Sequence, residues 1–177
     1  LLGREGCFMA EGEVVLRTLA RSSVAAPVSL LLAENRVEAL ADLFDKLPPD
    51  CPVYSAPQSV MDKVVGFHIH RGILALGRRL QAPTARDLLA GLPPGRVTVL
   101  AVSGVGNHDN MGGLFRNAAA FGADAVLLDS DCCDPLYRKA VRVSVGAALL
   151  TPFARLSAGE DLPDLLAGAG IEPLALS

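Results

Sequence analysis

The 177-residue sequence contains no tryptophan, only two tyrosines, and four cysteines without regular spacing. The scarcity of large aromatic side chains leaves few flat surfaces on which a single-stranded nucleic acid could stack its bases. The cysteines do not have the spacing of a disulfide framework, so we expect free thiols in a reducing compartment. These cysteines are Cys7, Cys51, Cys132 and Cys133.

An excess of positive charge is also missing, because 16 Lys and Arg residues are outnumbered by 19 Asp and Glu residues. No global field therefore attracts the protein to nucleic acid, and an RNA contact requires local basic patches. No apolar run approaches the roughly 20 residues of a membrane-spanning helix, and no secretory signal pattern opens the sequence. We expect a cytoplasmic protein without a membrane partner. Since the sequence opens on Leu1 rather than Met, we also expect that its natural start is not included.

Apolar runs alternate with helical patterns, which predicts an α/β fold with a largely parallel sheet. We expect a small α/β substrate-binding domain over 1–80, a proline-rich linker over 81–95, and a second α/β domain over 96–177. Other predicted elements are a helix over 35–46 capped by Asn35, strands over 97–102, 125–129 and 148–153, and helices over 110–121, 135–143 and 161–168. The apolar residues 173–176 predict an uncovered edge strand, which indicates that the second domain is truncated. An ordinary C-terminal edge strand is the alternative.

The segment 107–122 is the most informative one, because a polar, glycine-rich loop and a helix follow an apolar strand there. Parallel α/β proteins bind small ligands at such positions. We expect Asn110 to cap the helix. Gly112 and Gly113, each costing about 1 kcal/mol relative to Ala in a helix, suggest that a backbone or a ligand approaches closely. Arg116, one turn after Gly112, could reach a phosphate or ribose at the helix N-terminus. An ordinary surface arginine is the open alternative.

A dinucleotide-binding interpretation of the same region is weak. Gly104 and Gly106 follow a strand, and Asp129 ends the next strand. The third glycine of the G-x-G-x-x-G fingerprint would fall on Asp109, whose carboxylate would repel a pyrophosphate.

A second basic segment covers residues 135–148. Arg138 and Arg142 lie one helical turn apart with Lys139 beside the first, a stripe suited to an RNA backbone. A solvated helix face is the alternative. The β-branched residues before Gly146 predict that the helix gives way to a strand.

The first domain offers further candidates. Arg71, with Arg78 and Arg79, could form its RNA-binding patch, and ordinary solvated arginines are the alternative. His68 and His70 share one strand face, but no second Cys or His pair with ligand spacing accompanies them, so no metal site is expected.

Taken together, these segments resemble the SpoU (TrmH-like) class of SPOUT RNA 2′-O-ribose methyltransferases. The family's first motif, N-x-G-x-x-x-R-x-A, is matched by Asn110, Gly112, Arg116 and Ala118. The segment from Arg142 through Ser144 to Gly146 and Ala147 is similar to its second, and residues 8–13 resemble a phrase of its substrate-binding domain. This sequence departs from the family at Asn107-His108, where many members have Asp-Pro, and in lacking the third motif.

The resemblance implies a knotted α/β domain, S-adenosylmethionine as cofactor, tRNA or rRNA as substrate, and a homodimer. By position it implies that Arg116 and Asn110 are catalytic, with Arg116 acting on the ribose 2′-hydroxyl, and that Arg142 and Ser144 contact RNA. Arg138, Lys139 and Arg71 join the RNA contacts on the grounds given above. We expect the missing cofactor segment, and with it completion of the knot, beyond Ser177. The alternative function is a non-catalytic RNA-binding or assembly module with the same fold.

Overall fold

The computed structural model describes residues 6–66, 69 and 71–175. The strands are β1 (Cys7–Glu11), β2 (Ala25–Ala33), β3 (Val53–Ala56), β4 (Ile73–Arg79), β5 (Val99–Val102), β6 (Ala125–Leu128) and β7 (Phe153–Arg155). The helices are α1 (Glu13–Leu19), α2 (Ala41–Phe44), α3 (Gln58–Val65), α4 (Ala85–Ala90), α5 (His108–Ala120), α6 (Arg138–Val143) and α7 (Leu162–Gly168). None of the helices in the described part of the chain is long and apolar enough to cross a membrane.

The first sheet has the order β1-β4-β2-β3. Strand β4 is antiparallel to both of its neighbours, whereas β2 and β3 are parallel. Alternate residues along the strands are buried on one face against α1, where Leu16 and Leu19 join the core with Phe8, Leu30 and Ile73. Helix α3 packs on the opposite face through Met61.

The second sheet is parallel, with the order β5-β6-β7. All four residues of the central strand β6 are buried, which explains its continuous apolar sequence. Helices α4 and α7 contribute to the cluster around Leu127 and Ala154, while α5 and α6 contribute to the larger cluster around Val126 and Leu128. Helix α4 lies within 81–95 and packs on this sheet, so the two-domain boundary stays a prediction.

The two sheets share one hydrophobic cluster. Polar contacts also join their halves: Arg138 on α6 pairs with Glu11 on β1 at 2.8 Å, and Arg79 at the end of β4 pairs with Asp134. The Ser22 hydroxyl donates to the carbonyl oxygen of Leu149. These contacts fix how the site-bearing helices face the first sheet.

Three predicted elements are wrong. The helix over 35–46 is instead two 3₁₀ turns, Glu34–Arg36 and Glu38–Leu40, followed by the short α2. Its first turn begins after Ala33 without a side-chain cap, so Asn35 is not a capping residue. Leu40 and Leu43 are the buried positions of this segment, which is too few to hold a helix of three turns against the core.

The strand predicted over 148–153 begins only at Phe153, after a 3₁₀ turn at Ala147–Leu149. Pro152 precedes it, where the missing N–H of proline interrupts no ladder. The strand predicted over 173–176 is not formed over 173–175, and residue 176 lies outside the described residues. The uncovered edge that indicated a truncated domain is therefore not present in that segment.

Candidate functional site

Helix α5 begins at His108, two residues earlier than predicted, and its cap is Asn107. The Asn107 side-chain oxygen accepts hydrogen bonds from the backbone N–H groups of Asp109 at 2.8 Å and Asn110 at 3.3 Å. The prediction that Asn110 caps the helix is therefore wrong. Because Asn107 occupies these amides, they are not available to a phosphate at the helix N-terminus.

The two adjacent glycines of α5 lie in its second turn and have different surroundings. A Cβ built on Gly112 would lie 2.7 Å from the Ala140 carbonyl oxygen and 2.8 Å from the Val143 Cβ, both on α6. A Cβ on Gly113 would meet nothing within 4 Å. Gly112 therefore permits close packing of two helices, and the bare surface near Arg116 is that of Gly113.

Arg116 is exposed on α5 and forms no hydrogen bond or ion pair with the residues that the structure describes. It lies three residues after Gly113 and seven after Asp109, so these three positions share one stripe of the helix. Asn110, six residues earlier, lies roughly 120° around the helix from Arg116. No hydrogen bond joins Asn110 to Arg116 among the described contacts.

Asp129 organises the carboxyl edge of the parallel sheet. Its carboxylate accepts hydrogen bonds from the Ser103 hydroxyl, from the Gly104 N–H at 2.9 Å, and from the N–H groups of Asp131 and Cys132 at 3.0 and 2.9 Å. These bonds, that of Ser103 foremost, lower the pKa of Asp129 to about 2. The carboxylate thus joins the loops after β5 and β6, which argues against the dinucleotide interpretation, in which it would bind a ribose.

Arg155 at the end of β7 fixes the loop after β6. Its Nη1 donates to the carbonyl oxygens of Asp129 at 2.6 Å and Cys132 at 2.9 Å. The sequence does not predict the role of Arg155 or the linking role of Asp129. The available signal is that each residue lies at the end of a strand.

Three consecutive residues at the start of α6 each have a separate partner. The Tyr137 ring lies 4.2 Å from that of His108, centroid to centroid. Arg138 pairs with Glu11, and Lys139 pairs with Asp109 at 2.6 Å. Two of the three cations of the predicted basic stripe are thus bound to carboxylates of this chain.

Helix α6 ends in a Schellman turn rather than running into a strand, which corrects the prediction for this segment. The Val145 N–H donates to the Arg142 carbonyl at 3.1 Å, and the Gly146 N–H donates to the Val141 carbonyl at 3.0 Å. Val145 has φ +54°, a left-handed conformation that is rare for a β-branched residue.

Ser144 lies inside this turn with 1% of its surface exposed. Its hydroxyl donates to the Val141 carbonyl at 3.0 Å and accepts from the Ala148 N–H at 3.3 Å. In this arrangement the hydroxyl is bonded within the chain rather than presented to a ligand.

Arg71 and Arg142 line one cleft between the two halves, together with Arg36. Gly12, with φ +91°, lets the Arg71 side chain cross its backbone, since a Cβ there would lie 2.8 Å from Arg71 Nη1. Sequence analysis missed Arg36, which belongs to no motif.

The other arginines of the predicted patch lie apart from Arg71. Arg78 and Arg79 end β4, whereas Arg71 precedes it, so the strand separates them by roughly 20 Å. Arg79 pairs with Asp134 and lies over the Phe153 ring.

None of the four cysteines, all of which are described, forms a disulfide bond. Burial raises the pKa of Cys51, Cys132 and Cys133. The paired histidines, His68 and His70, lie outside the described residues. Among those that are described, no group of three or more His, Cys, Asp and Glu side chains could hold a metal ion.

Comparison with known proteins supports this architecture. Residues 97–177 match the model of the SpoU rRNA Methylase family. An uncharacterized tRNA/rRNA methyltransferase of Mycobacterium tuberculosis is 42% identical over 147 residues, which are 83% of this chain and 49% of that protein. One from Mycobacterium avium is 32% identical over 111 residues, 58% of this chain and 34% of that protein. The chain thus spans at most about half the length of these relatives.

Two solved structures share the fold. An AdoMet-bound rRNA methyltransferase from Sinorhizobium meliloti superposes with a TM-score of 0.72 at 22% identity, covering 93% of this chain and 59% of the other. The SpoU methyltransferase AviRb from Streptomyces viridochromogenes, in complex with AdoMet, gives 0.70 at 18% identity, covering 93% and 61%. Through its residues 97–177, the chain belongs to the SpoU rRNA methylase family.

Proposed function

We propose that the full-length protein is an RNA 2′-O-ribose methyltransferase that uses S-adenosylmethionine and acts on tRNA or rRNA. The observation that carries this proposal is the environment of Arg116. Its guanidinium is exposed beside the bare backbone of Gly113 and has no hydrogen bond to the described residues. A polar group can therefore approach α5 at Gly113 and bind the guanidinium there.

Arg116 is proposed to orient the ribose rather than to act as a simple base. A guanidinium keeps its proton, so it donates hydrogen bonds but does not remove a proton unaided. Its planar donors can bind the 2′-oxygen and a neighbouring phosphate together. Since methyl transfer requires the attacking oxygen in line with the methyl group, such positioning supplies much of the rate. Asn110 is proposed as a second ribose contact.

The methyl donor is supported by the AdoMet-bound structural relatives, and its chemistry is the supply of an electrophilic methyl group. The residues described here do not fit this cofactor by themselves. The acidic side chain at the carboxyl edge, Asp129, is already bonded to Ser103 and to three backbone N–H groups. No reaction step is therefore assigned to the donor pocket.

A homodimer in the cytoplasm is part of the proposal. The C-terminal end of α5 presents Phe121, whose surface is 87% exposed. We propose that a second copy of the protein covers this ring. We expect Phe121→Ser to shift a dimer toward monomer in analytical ultracentrifugation, whereas Val64→Ser, another exposed apolar position, leaves the dimer intact.

The activity test uses radiolabelled S-adenosylmethionine with bacterial tRNA and rRNA. We expect Arg116→Ala to lower the rate of label incorporation about 100-fold or more. The matched control is Arg86→Ala, an exposed arginine of α4, which should retain the parent rate. Alkaline hydrolysis then identifies the position, because a 2′-O-methyl group protects the adjoining phosphodiester and leaves labelled dinucleotides.

Equal incorporation by the parent and Arg116→Ala contradicts the role of Arg116. RNA binding without incorporation, and without S-adenosylmethionine binding in calorimetry, supports the alternative function, a non-catalytic RNA-binding module.

A further inference from the structure

Three arginines from distant parts of the sequence line one cleft of about 430 Å³. Arg36 lies in a 3₁₀ turn after β2, Arg71 precedes β4, and Arg142 lies in the last turn of α6. The first two belong to the half with the first, mixed sheet and the third to the half with the parallel sheet. The cleft is therefore a junction between the two halves.

Among the residues that the structure describes, these three guanidiniums lack partners. None has a hydrogen bond or an ion pair with the described residues. The acidic residue in the lining is Glu13, whose carboxylate already accepts from Arg17 Nε at 2.8 Å. Like charges gathered without a counter-ion repel one another, and an anion that enters the cleft relieves this repulsion.

Four other arginines have partners in the described part of the chain, whereas the remaining described ones, which lie outside the cleft, have none there. Arg17, Arg79 and Arg138 each pair with a carboxylate, and Arg155 donates to backbone carbonyls. Within the described residues, the protein thus supplies partners for several arginines but brings three without partners together in one cleft, in a chain whose net charge is −3.

The surroundings of two of these arginines make room for the side chain of one and fix the backbone of the other. The Arg71 side chain crosses the bare backbone of Gly12. Arg142 lies three residues before Val145, so the Schellman turn that ends α6 fixes its backbone. Val145 also lines the cleft, which places the strained residue beside the arginines.

We propose that this cleft binds phosphate groups of the substrate RNA, so that the RNA backbone contacts both halves of the protein at once. The proposal rests on the proposed function in that RNA is the substrate. Guanidinium forks match phosphate oxygens in a bidentate manner, and an open cleft at a junction accepts a continuous chain better than a closed pocket does. Arg36, Arg71 and Arg142 bind phosphate, while Arg116 acts at the ribose.

The test measures RNA affinity as a function of salt in the full-length protein. Fluorescein-labelled bacterial tRNA is titrated by anisotropy between about 50 and 300 mM KCl for Arg36→Gln, Arg71→Gln and Arg142→Gln. Each variant should bind roughly tenfold more weakly at the lowest salt, and the slope of log K against log[salt] should decrease in magnitude by about 0.7–1. The matched controls Arg86→Gln and Arg96→Gln, both exposed arginines outside the cleft, should retain the parent affinity and slope.

The variant Glu13→Gln should change the affinity for tRNA in the opposite direction. It removes the negative charge of the lining, so it should strengthen tRNA binding while the arginine variants weaken it. A folding defect would weaken binding in every variant, and equal melting temperatures confirm that the variants are folded.

Cleft variants that bind with the parent affinity and slope overturn the proposal, as does a parent protein that does not bind tRNA. If methyl transfer is absent but the salt slopes of the arginine variants change as expected, the RNA-binding role of the cleft is supported and the proposed methyltransferase function is contradicted. If methyl transfer depends on Arg116 while the cleft variants keep the parent affinity and salt slope, the proposed function is supported and the RNA-binding role of the cleft is contradicted.

Discussion

The backbone of Gly112 on α5 lies directly against the carbonyl oxygen of Ala140 on α6, so closely that a Cβ on Gly112 would be 2.7 Å from that oxygen. This contact sets the distance between the helix that carries Arg116 and the helix that carries Arg142. Gly113, the next residue, has no such neighbour.

The adjacent glycines should therefore respond in opposite ways to alanine. Gly112→Ala forces α5 and α6 apart and should destabilise the protein by about 1–3 kcal/mol. Gly113→Ala gains helix propensity without a clash and should stabilise it by up to about 1 kcal/mol, a rise in Tm of roughly 2–4 °C. Thermal unfolding followed by circular dichroism checks both.

Methyl transfer by the Gly113→Ala variant provides a second test of the role of this glycine. Because Gly113 offers the open surface beside Arg116, Gly113→Ala should lower methyl transfer while the protein becomes more stable. A Gly113→Ala protein that is both more stable and fully active contradicts the proposed approach of substrate at this position.

The hydrogen bonds of Asp129 predict a specific dependence of stability on pH. Its pKa in the folded protein, about 2, is below the usual unfolded value of about 3.9. The carboxylate thus stabilises the fold fully above the unfolded value, and this contribution disappears as the pH falls from about 5 toward 2. Asp129→Asn should lower Tm at pH 7 by about 3 °C or more.

The melting temperatures of the parent protein and of Asp129→Asn are compared from pH 7 to pH 2. The Tm difference between the parent and Asp129→Asn should shrink toward zero near pH 2. Asp124→Asn, which alters another carboxylate beside the same sheet, serves as the control. A difference that stays constant from pH 7 to pH 2 would show that the charge of Asp129 is not what stabilises the loops.

The ion pair between Glu11 and Arg138 should contribute to the packing of the two halves. The Glu11 side chain is only 12% exposed, so Arg138→Met leaves a carboxylate poorly solvated and should cost about 1–3 kcal/mol. The double variant Glu11→Gln with Arg138→Met should be less destabilised than the sum of the single ones. Strict additivity in urea denaturation would mean that the pair is not coupled.

Local patterns predicted much of this fold. The strands and helices of the second half are short apolar runs bounded by turn residues, and most of them lie where periodicity places them. The choice of Asn107 over Asn110 as the cap of α5 was not predictable in the same way. Both residues can cap a helix, and contacts with α6, such as that between Asp109 and Lys139, form where α5 begins at His108.

Prediction of the functional site from local sequence patterns is limited in the same way. Arg116 carries a motif, so the sequence identifies it, whereas Arg36 has no motif and gains its meaning only from Arg71 and Arg142 in the folded chain. The partners of Arg138 and Lys139 are likewise distant in sequence. A run of basic residues therefore predicts charge at a position but not whether that charge is available to a ligand.

Val145 gives the last prediction, because it occupies the position of a Schellman turn that glycine normally takes. The left-handed conformation costs a β-branched residue about 1–3 kcal/mol, whereas glycine adopts it freely and loses about 0.5–1 kcal/mol of backbone entropy on folding. Val145→Gly should therefore raise Tm by roughly 2–4 °C, and Val145→Ala, which keeps a Cβ at φ +54°, should gain less. A Val145→Gly protein that unfolds at a lower temperature than the parent would mean that the Val145 side chain stabilises the cleft by more than its backbone strain costs.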